Sequence, residues 1–562
     1  MDTSAKNHRE KPFEFVPLED SDARESHNGA PQGIEGNNAS DNQIPDPTSQ
    51  TYTVEDAVEA SGFGRFQLLL FMICGILMAS LGVFRTDVLL AFAADAMEML
   101  LLSILGPALR CQWHLSSQQI AAITTVVFVG YLIGSPIWGF VSDKFGRWPI
   151  VFTVLAMISY YGFLTTISPT FVWILILRFM VGFAIGGGSN SFTLLSEFVP
   201  KKYRAKFLLC FQVFWAIGST MEVGLAYLIL PRYGWRWLVF ASAIPLALFL
   251  VLLKWLPESP RYLVTAGFIS EAEKVIKKMW KMNRITPIEG RLVSSSTAAH
   301  RLGSIKELFS RRYLCTTLML PTIWFGAAFG YYGVVLLSAE IFRFRHFCFG
   351  DWEQSPDFHG NWSNGTVGSA QLDTSCCKEL SNDDFLAMII SSVGEFVNIP
   401  LLVLVIDCFG RKITMGLWNG LTGFMFFLLY VCMSKEAMTG VLFMVRAFSA
   451  GLLSLTYLYT TEVYPTSVRA MAVGSFSSIA RLGAIVTPYV AQVMMPEVSQ
   501  IGALSLYAVI GILCSVLSFL LPIETAGSDL PQSSGDDQQH LPLSTTFIEL
   551  SYMPFTGDGL SS

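Results

Sequence analysis

The sequence predicts an all-α polytopic membrane protein with twelve transmembrane helices in two six-helix halves. Three observations lead to this fold class: an apolar composition, a series of apolar windows long enough to cross a bilayer, and motifs that occur twice along the chain. Of the 562 residues, 52% are hydrophobic and 14% are charged, whereas an ordinary soluble domain carries about 25% charged residues. We therefore expect most of the chain to lie within a lipid bilayer.

The polar N-terminus and the distribution of charge mark the parts outside the bilayer. Residues 1–65 are polar and lack the basic-then-apolar start of a cleaved signal peptide, so we expect a disordered N-terminal tail in the cytoplasm. The net charge of -6 arises mainly from the two tails and one long loop, while the short loops are basic. This distribution offers no basic surface to a nucleic acid, and we expect no nucleic-acid partner.

Apolar windows define the predicted spans, because a helix needs about 20 apolar residues to cross the hydrocarbon core. Phe66–Leu109 is counted as one span, and eleven further windows follow it. They lie at about 118–141, 149–168, 171–191, 206–230, 237–256, 313–337, 384–406, 413–433, 438–460, 470–494 and 501–521. The spans divide into an N-terminal half over 66–256 and a C-terminal half over 313–521. A cytoplasmic linker over 257–312 joins the halves, and a cytoplasmic tail over 522–562 follows.

Basic residues in the short loops indicate the cytoplasmic side. They are Lys144, Arg147, Lys201, Lys202, Arg204, Lys206, Arg411, Lys412 and Arg469. The other side receives an acidic loop over 338–383 with N-glycosylation sequons at Asn361 and Asn364. We expect glycosylation there in a lumen, although sequons also arise by chance. Four cysteines on this side allow three disulfide pairings: Cys111, Cys348, Cys376 and Cys377.

The first apolar stretch is too long for one crossing and contains Arg85, Asp87, Asp95 and Glu98. Removing residues 80–94 leaves a single span of ordinary length that keeps Asp95 and Glu98. We therefore predict an insertion at 80–94. It is either absent from the main transcript, as an alternative exon or a retained intron, or folded as a lumenal or re-entrant bulge.

The alternative for this stretch is that Phe66–Phe84 and Val88–Leu109 are separate crossings of about 20 residues each. The chain would then have thirteen spans. Because the basic loops fix the later spans, the N-terminus would lie in the lumen, where the sequon at Asn38 would be glycosylated. We predict that Asn38 is never glycosylated.

Two pairs of motifs recur between the halves. EFVPKKYR at 197–204 follows the fourth window and EVYPTSVR at 462–469 follows the tenth, at an offset of 265 residues. GFVSDKFGRW at 139–148 follows the second window and DCFGRK at 407–412 follows the eighth, with the acid and the arginine at an offset of 264 residues. Two six-span halves that repeat each other are the layout of many secondary transporters.

These motifs have structural reasons of their own. Gly146 and Gly410 permit a tight turn between antiparallel helices. Asp143 can lie at a helix N-terminus, and Lys144 and Arg147 can bind the carbonyl ends of neighbouring helices. We assign to gating or to holding the fold Gly139, Asp143, Gly146, Arg147, Glu197, Arg204, Asp407, Gly410, Arg411, Glu462 and Arg469, with Arg178 and Arg446 at the repeat position in spans four and ten. Direct contact with a substrate is the less favoured role for these residues.

Together with PESPR at 257–261 and PIETAG at 522–527, these motifs resemble the major facilitator superfamily over about 57–527. More specific strings look like the synaptic vesicle 2-related branch of that superfamily, which is related to synaptic vesicle glycoprotein 2 and to organic ion transporters. They are YTVEDAVEASGFGRFQ (52–67), ADAMEM (94–99), FWAIG (214–218), WRW (235–237), YYGVVLL (331–337) and RAFSAG (446–451). The resemblance implies a major facilitator fold in a vesicle membrane, with both termini in the cytoplasm.

The resemblance does not imply a substrate. PESPR and PIETAG also resemble the sugar porters, which carry a paired glutamine about ten residues before the two tyrosines of the seventh span. This chain has Pro321 and Thr322 at that position, which argues against a sugar.

Charged residues at bilayer depth are costly, so they usually face a partner or a watery pathway. Asp95 and Glu98 share one face of the first span, Glu222 lies in the fifth, and Glu395 and Arg481 lie near the midplane in the eighth and eleventh. We hypothesise that the carboxylates take up a proton or bind an organic cation. Three aromatic residues would offer ring faces to the same ligand: Trp215, Tyr331 and Tyr332. The alternative is that the buried acids and arginines pair with each other while the aromatic rings only pack.

The predicted function is secondary active transport of a small organic ion across a vesicle membrane, by alternating access and coupled to protons. The sequence contains no Walker loop, zinc-ligand spacing or catalytic triad, so we expect no enzyme, no catalytic residue, no metal and no cofactor. The alternative is a vesicle membrane protein of the same fold that does not transport. Its tails would then bind cytoplasmic protein partners.

Overall fold

The computed structural model describes residues 51–67, 90–200, 203, 212–252, 256–293, 305–343, 380–431 and 433–525. Several predicted features lie outside these ranges: the sequons at Asn38, Asn361 and Asn364, the charges Arg85 and Asp87 with the insertion up to residue 89, the motif residue Arg204, Cys348, Cys376 and Cys377, and most of both tails. They remain predictions.

The N-terminal half follows a short segment with strand β1 (Thr51–Tyr52) and helix α1 (Val54–Ser61). Its spanning helices are α2 (Leu90–Trp113), α3 (Ser117–Phe145), α4 (Arg147–Thr166), α5 (Phe171–Ile185), α6 (Ser189–Ser196), α7 (Gln212–Tyr233) and α8 (Trp235–Leu252). The predicted fourth window is therefore two helices. They meet at three consecutive glycines, 186–188, which favour a helix end.

The linker and the C-terminal half complete the chain. The linker contains α9 (Pro260–Thr265), α10 (Ile269–Asn283), β2 (Arg291–Leu292) and α11 (Ile305–Leu308). The C-terminal half contains α12 (Leu314–Arg343), α13 (Asn382–Phe409), α14 (Arg411–Leu428), α15 (Lys435–Val463), α16 (Thr466–Tyr489), a π-helical segment (Val490–Val498) and α17 (Gln500–Leu520).

The predicted all-α membrane fold is confirmed. Within the described ranges, eight helices are long and apolar enough to cross a membrane by themselves. The other four of the twelve predicted spans correspond to α2, to α5 and α6 together, to α8 and to α14. Helix α2, with 24 residues, is about 36 Å long at 1.5 Å per residue, which is enough to cross a bilayer.

The two halves pack their helices in the same way. Helix α2 packs on α7 as α12 packs on α16, α3 on α5 as α13 on α15, and α4 on α8 as α14 on α17. Between the halves, α3 packs on α16 and α7 packs on α13, while α2 packs on α12. The motif repeat in the sequence therefore corresponds to a structural repeat. At the interface, α2 meets its equivalent α12, while α3 meets the equivalent of α7 and α7 meets the equivalent of α3.

The two ends of the bundle differ. We call the end with the turns after α3 and α13 the motif end, and the opposite end, where the chain connects α12 to α13, the loop end. Gly146 and Gly410 make the two turns with φ of 100° and 81°, a conformation that favours glycine. Consecutive spans alternate in direction, so α2 and α12 both run from the motif end to the loop end.

A carboxylate from the start of the linker caps helix α4 at the motif end. Glu258 accepts the backbone N–H groups of Arg147 and Trp148 at 3.0 and 3.1 Å. Asp143 lies instead in the last turn of α3, where Arg147 Nη1 binds it at 2.6 Å. The prediction that Asp143 caps a helix N-terminus is therefore wrong. An acid at the negative end of a helix dipole is stabilised by a cation, and Arg147 supplies it to Asp143 and, at 3.8 Å, to Glu197. Among the described residues, no helix carbonyl accepts a hydrogen bond from its guanidinium.

The C-terminal half repeats this construction. Glu524 accepts the backbone N–H groups of Arg411 and Lys412 at 2.9 and 3.1 Å. The Arg411 guanidinium binds Glu462 through two hydrogen bonds of 3.0 and 3.2 Å, and the Thr525 hydroxyl donates to the same carboxylate at 2.6 Å. PESPR and PIETAG thus both supply an acid that caps the third helix of their half.

The remaining motif residues have smaller roles in the described structure. Arg469 donates through Nε to the carbonyl of Tyr464 at 3.1 Å. Asp407 lies in the last turn of α13, at the position equivalent to Asp143. A Cβ atom at Gly139 would meet open space, so packing does not explain this glycine.

The segment before the first span is bound to the linker at the motif end. Strand β1 pairs in parallel with β2. The side chain of Asn283 accepts the N–H of Phe66 at 2.7 Å and donates to the carbonyl of Ser61 and to Gln67 at 3.1 and 2.7 Å. Gln67 in turn donates to the carbonyl of Phe198 at 3.2 Å. This two-stranded sheet is a small exception to the all-α prediction.

Candidate functional site

The candidate site is a set of buried polar and aromatic residues at the interface of the two halves. Its first part is a charge cluster in the N-terminal half, built from one residue on each of four helices. Arg178 of α5 binds Glu98 of α2 through Nη1 and Oε2 at 2.6 Å, and both side chains are almost fully buried. Glu222 of α7 is fully buried beside them and accepts a 2.9 Å hydrogen bond from Ser242 of α8. The charges of Glu98 and Arg178 act on Glu222.

This cluster has unused hydrogen-bonding capacity. Within the described structure, Nε and Nη2 of Arg178 and Oε2 of Glu222 are buried without a hydrogen-bond partner. The Arg178 guanidinium therefore has two carboxyl groups near it, and among the described residues it forms an ion pair only with Glu98. An isolated carboxylate at this depth is costly, so the cluster is a place where a proton can be held.

The second part of the site crosses between the halves. Glu395 of α13 binds Arg446 of α15 through Oε1 at 2.8 Å and accepts the Tyr331 hydroxyl of α12 at 3.2 Å. Two residues of α7, in the other half, complete the network. Ser219 donates to Glu395 at 3.3 Å, and the Trp215 indole donates to the Tyr331 hydroxyl. This network must separate or rearrange if the two halves move apart.

The third part is aromatic and also joins the halves. Arg481 of α16 lies over the ring of Tyr131 of α3, with Cζ 4.0 Å from the ring centroid, and donates to its hydroxyl at 2.7 Å. Phe128, one turn before Tyr131, packs against Tyr332 with ring centroids 4.8 Å apart, and Tyr332 contacts Tyr331 at 5.3 Å. A cation above an aromatic face is an attractive contact.

Asp95 lies between the first and third parts of the site. The charges of Glu98 and Arg481 both act on its carboxylate. No ion pair of Asp95 within 4.0 Å occurs among the described residues, a lack that Asp95 shares with Glu222. A Cβ atom at Gly188 would collide with Asp95 Oδ2. The break between α5 and α6 therefore leaves the space that the Asp95 carboxylate occupies.

The structure brings five of the eight predicted substrate or proton residues into contacts between the halves: Trp215, Tyr331, Tyr332, Glu395 and Arg481. Glu98 and Glu222 make their contacts within the N-terminal half. Glu98 and Glu395 each pair with the repeat arginine of their half, as the alternative prediction had it, whereas Arg481 binds a tyrosine. Sequence reasoning missed Phe128, Tyr131 and Ser219, which carry no charge and lie in ordinary apolar windows. Within the described ranges, no group of three His, Cys, Asp or Glu side chains is placed to hold a metal ion.

Comparisons with known proteins agree with this architecture. A family model described as "Sugar (and other) transporter" matches residues 94–344, and one described as "Major Facilitator Superfamily" matches residues 379–556. Synaptic vesicle 2-related protein from Pongo abelii is 41% identical over 492 residues, which cover 88% of this chain and 84% of that protein. SVOPL from Homo sapiens is 38% identical over 491 residues, covering 87% and 95%.

Among solved structures, an inward open conformation of the xylose transporter XylE from E. coli aligns with 83% of this chain and 97% of its own. The TM-score is 0.58 at 15% identity, so this is a likeness of fold.

Proposed function

The chain belongs to the major facilitator superfamily and is a multi-pass membrane transporter related to synaptic vesicle 2-related proteins, and we propose that it carries a small organic ion across a vesicle membrane. Transport proceeds by alternating access of the two halves and is coupled to protons. The observation that carries the proposal is the buried group of Glu98, Arg178 and Glu222, beside Asp95.

Proton coupling is supported by the imbalance between acids and cations in this group. Arg178 pairs with Glu98, while Glu222 is fully buried with one hydroxyl donor and no ion pair among the described residues. In such a place a charged carboxyl group costs several kcal/mol more than a neutral one, so the protonated form of Glu222 is the more stable one. When Arg178 shifts its free N–H groups toward Glu222, that proton can leave, and Glu98 can take one up.

Transport of an organic ion is supported by aromatic side chains and by the Asp95 carboxylate, which has no ion pair among the described residues. Three aromatic residues lie at the junction of the halves: Trp215 donates to Tyr331, Tyr331 donates to Glu395, and Tyr332 contacts Tyr331. Asp95 is the carboxylate left for a cationic group, and aromatic faces next to a carboxylate suit an organic cation. Because these contacts come from both halves, a ligand there would be bound and released as the halves rock.

The orientation that we propose places the motif end in the cytoplasm and the loop end in the lumen. Among the described loop residues that the sequence assigns to the cytoplasmic side, Lys144, Arg147, Arg411, Lys412 and Arg469 lie at the motif end, which supports this orientation. Residues 51–67 are bound to the linker at that same end, where α2 also begins at Leu90. This arrangement supports twelve spans with a cytoplasmic N-terminus, with the halves, linker and tails divided as the sequence predicts.

Uptake by purified protein in proteoliposomes tests the function. A panel of labelled organic cations and anions is offered with and without an imposed pH gradient. We expect gradient-dependent uptake of at least one ion and its loss in the double variant Asp95→Asn/Glu98→Gln, while Glu289→Gln, at an exposed linker acid, keeps full uptake. Undiminished gradient-driven uptake by the double variant would overturn the proton-coupled mechanism. Absence of uptake across the whole panel would favour the non-transporting alternative.

A further inference from the structure

A buried ion pair at the loop end belongs to none of the motifs and to no part of the candidate site. Arg110 lies three residues before the end of α2, and Glu340 lies three residues before the end of α12. Arg110 Nη2 and Glu340 Oε1 are 3.7 Å apart, and the two side chains are only 7% and 1% exposed. The pair therefore joins the N-terminal half to the C-terminal half.

The surroundings of this pair are a closed apolar interface. Leu109 beside Arg110, and Ala339 and Ile341 beside Glu340, are all buried. Further contacts across the halves lie at the same end: the Thr124 hydroxyl donates to Gln492 at 3.2 Å. In the described structure, packed side chains of both halves thus close the loop end, and this ion pair lies among them.

We propose that Arg110 and Glu340 form the lumenal gate latch of the transport cycle, an ion pair that closes the loop end and separates when this end opens to the lumen. The inference rests on the proposed alternating access. It assigns a gating role to two residues that take no part in holding the substrate or the proton.

How much a buried ion pair stabilises a protein depends on the conformational state. When the loop end is closed, both charges are removed from water and attract each other. When it opens, both head groups are hydrated and this attraction matters little. Loss of the Glu340 charge therefore penalises the closed state, because it leaves the Arg110 guanidinium buried without this ion pair. Loss of both charges removes that penalty.

The geometry of the Arg110–Glu340 contact also allows the two side chains to separate when the loop end opens. At 3.7 Å the pair is an electrostatic contact without a hydrogen bond. Nε and Nη2 of Arg110 are buried without hydrogen-bond partners in the described structure. Water that enters on opening would satisfy these N–H groups, so the hydration gained offsets the Coulomb attraction lost.

Hydrogen–deuterium exchange of the full-length protein in lipid nanodiscs tests the latch. In Glu340→Gln we expect peptides at the loop end, over 105–113 and 336–343, to exchange at least tenfold faster. Peptides at the motif end, over 139–147 and 407–412, should exchange more slowly, because the equilibrium moves toward the lumen-open state. The matched control is Lys435→Gln, which breaks a 2.6 Å ion pair with Asp384 at the same end but within one half. It should leave the balance between the ends unchanged.

Paired variants separate a latch from a loss of stability. The charge swap Arg110→Glu/Glu340→Arg should restore the exchange pattern of the unmodified protein, and the apolar pair Arg110→Leu/Glu340→Leu should protect the loop end at least as well. Faster exchange at both ends in Glu340→Gln, or a folded charge-swap variant that keeps the single-variant pattern, would overturn the latch. Because exchange is measured without substrate or pH gradient, a negative result alongside normal uptake would overturn the latch alone.

Discussion

We expect Glu258→Ala to lower the free energy of unfolding by about 2–3 kcal/mol, because its carboxylate caps helix α4 from a distant segment. Glu258 accepts the N–H groups of Arg147 at 3.0 Å, Trp148 at 3.1 Å and Ser259 at 2.8 Å. Alanine removes all three hydrogen bonds and the negative charge next to the positive end of the helix dipole.

The magnitude follows from these contacts and from partial access to water. A side-chain cap contributes about 1 kcal/mol, and a charge at a partly buried helix end contributes up to about 2 kcal/mol. Water replaces part of the lost hydrogen bonding because Glu258 is only half-buried, so the full value of three charged hydrogen bonds is not reached. Glu258→Gln keeps a carbonyl acceptor and loses the charge, and we expect about 1 kcal/mol.

Reversible unfolding in mixed detergent micelles, followed by tryptophan fluorescence, measures these differences. The matched control is Glu289→Ala, at an exposed acid of the linker, which should stay within about 0.5 kcal/mol of the unmodified protein. A Glu258→Ala variant as stable as this control, or a glutamine variant as unstable as the alanine variant, would refute the capping account.

Three further predictions follow from other sites. Asn283→Ala removes the bonds to Phe66, Ser61 and Gln67, so we expect limited proteolysis within residues 51–67 to be at least tenfold faster; unchanged cleavage would contradict the assigned role of Asn283. Burial raises the pKa of Glu197 from 4.5 more than Ser259 and Arg147 lower it, so its ionisation opposes folding. The melting temperature should therefore fall as pH rises above about 4.5, and Glu197→Gln should lack this part of the fall. If the melting temperature of this variant depends on pH as in the unmodified protein, the role assigned to Glu197 is contradicted. Expression in microsomes without Asn361 and Asn364 should give no glycan; an endoglycosidase-sensitive shift that Asn38→Gln abolishes would place the N-terminus in the lumen.

Local patterns in the sequence were sufficient to predict the spans and the repeat. Hydropathy windows depend on consecutive residues, and the turns at Gly146 and Gly410 depend on a conformation that favours glycine. The break between α5 and α6 was missed because the three glycines lie inside a continuous apolar window. The assignment of Asp143 failed for a related reason, since α3 continues to Phe145 and leaves the acid inside its last turn.

Pairings between residues that are far apart in the sequence could not be predicted from local patterns. Glu258 and Arg147 are 111 residues apart, and Glu524 and Arg411 are 113 apart. The sequence identified Glu98 as a membrane charge, but its bond to Arg178 depends on how α2 and α5 pack.

Charges near the ends of apolar windows are the hardest to interpret from sequence. Arg110 and Glu340 lie where long side chains usually reach the interfacial water. Only the packing of α2 on α12 buries both and brings them together. The exposed fraction of a side chain at a helix end is set by the partner helix.

The central claim, that a buried carboxyl group carries the coupled proton, is tested most directly by Glu222→Gln in proteoliposomes. The substrate is whichever panel ion the unmodified protein takes up most strongly under a pH gradient. We expect the variant to lose gradient-driven accumulation while it still exchanges labelled for unlabelled substrate at a rate of at least about half the unmodified value, because exchange does not require the proton site to empty. Glu289→Gln should retain both activities. Full gradient-driven accumulation by Glu222→Gln would contradict the claim.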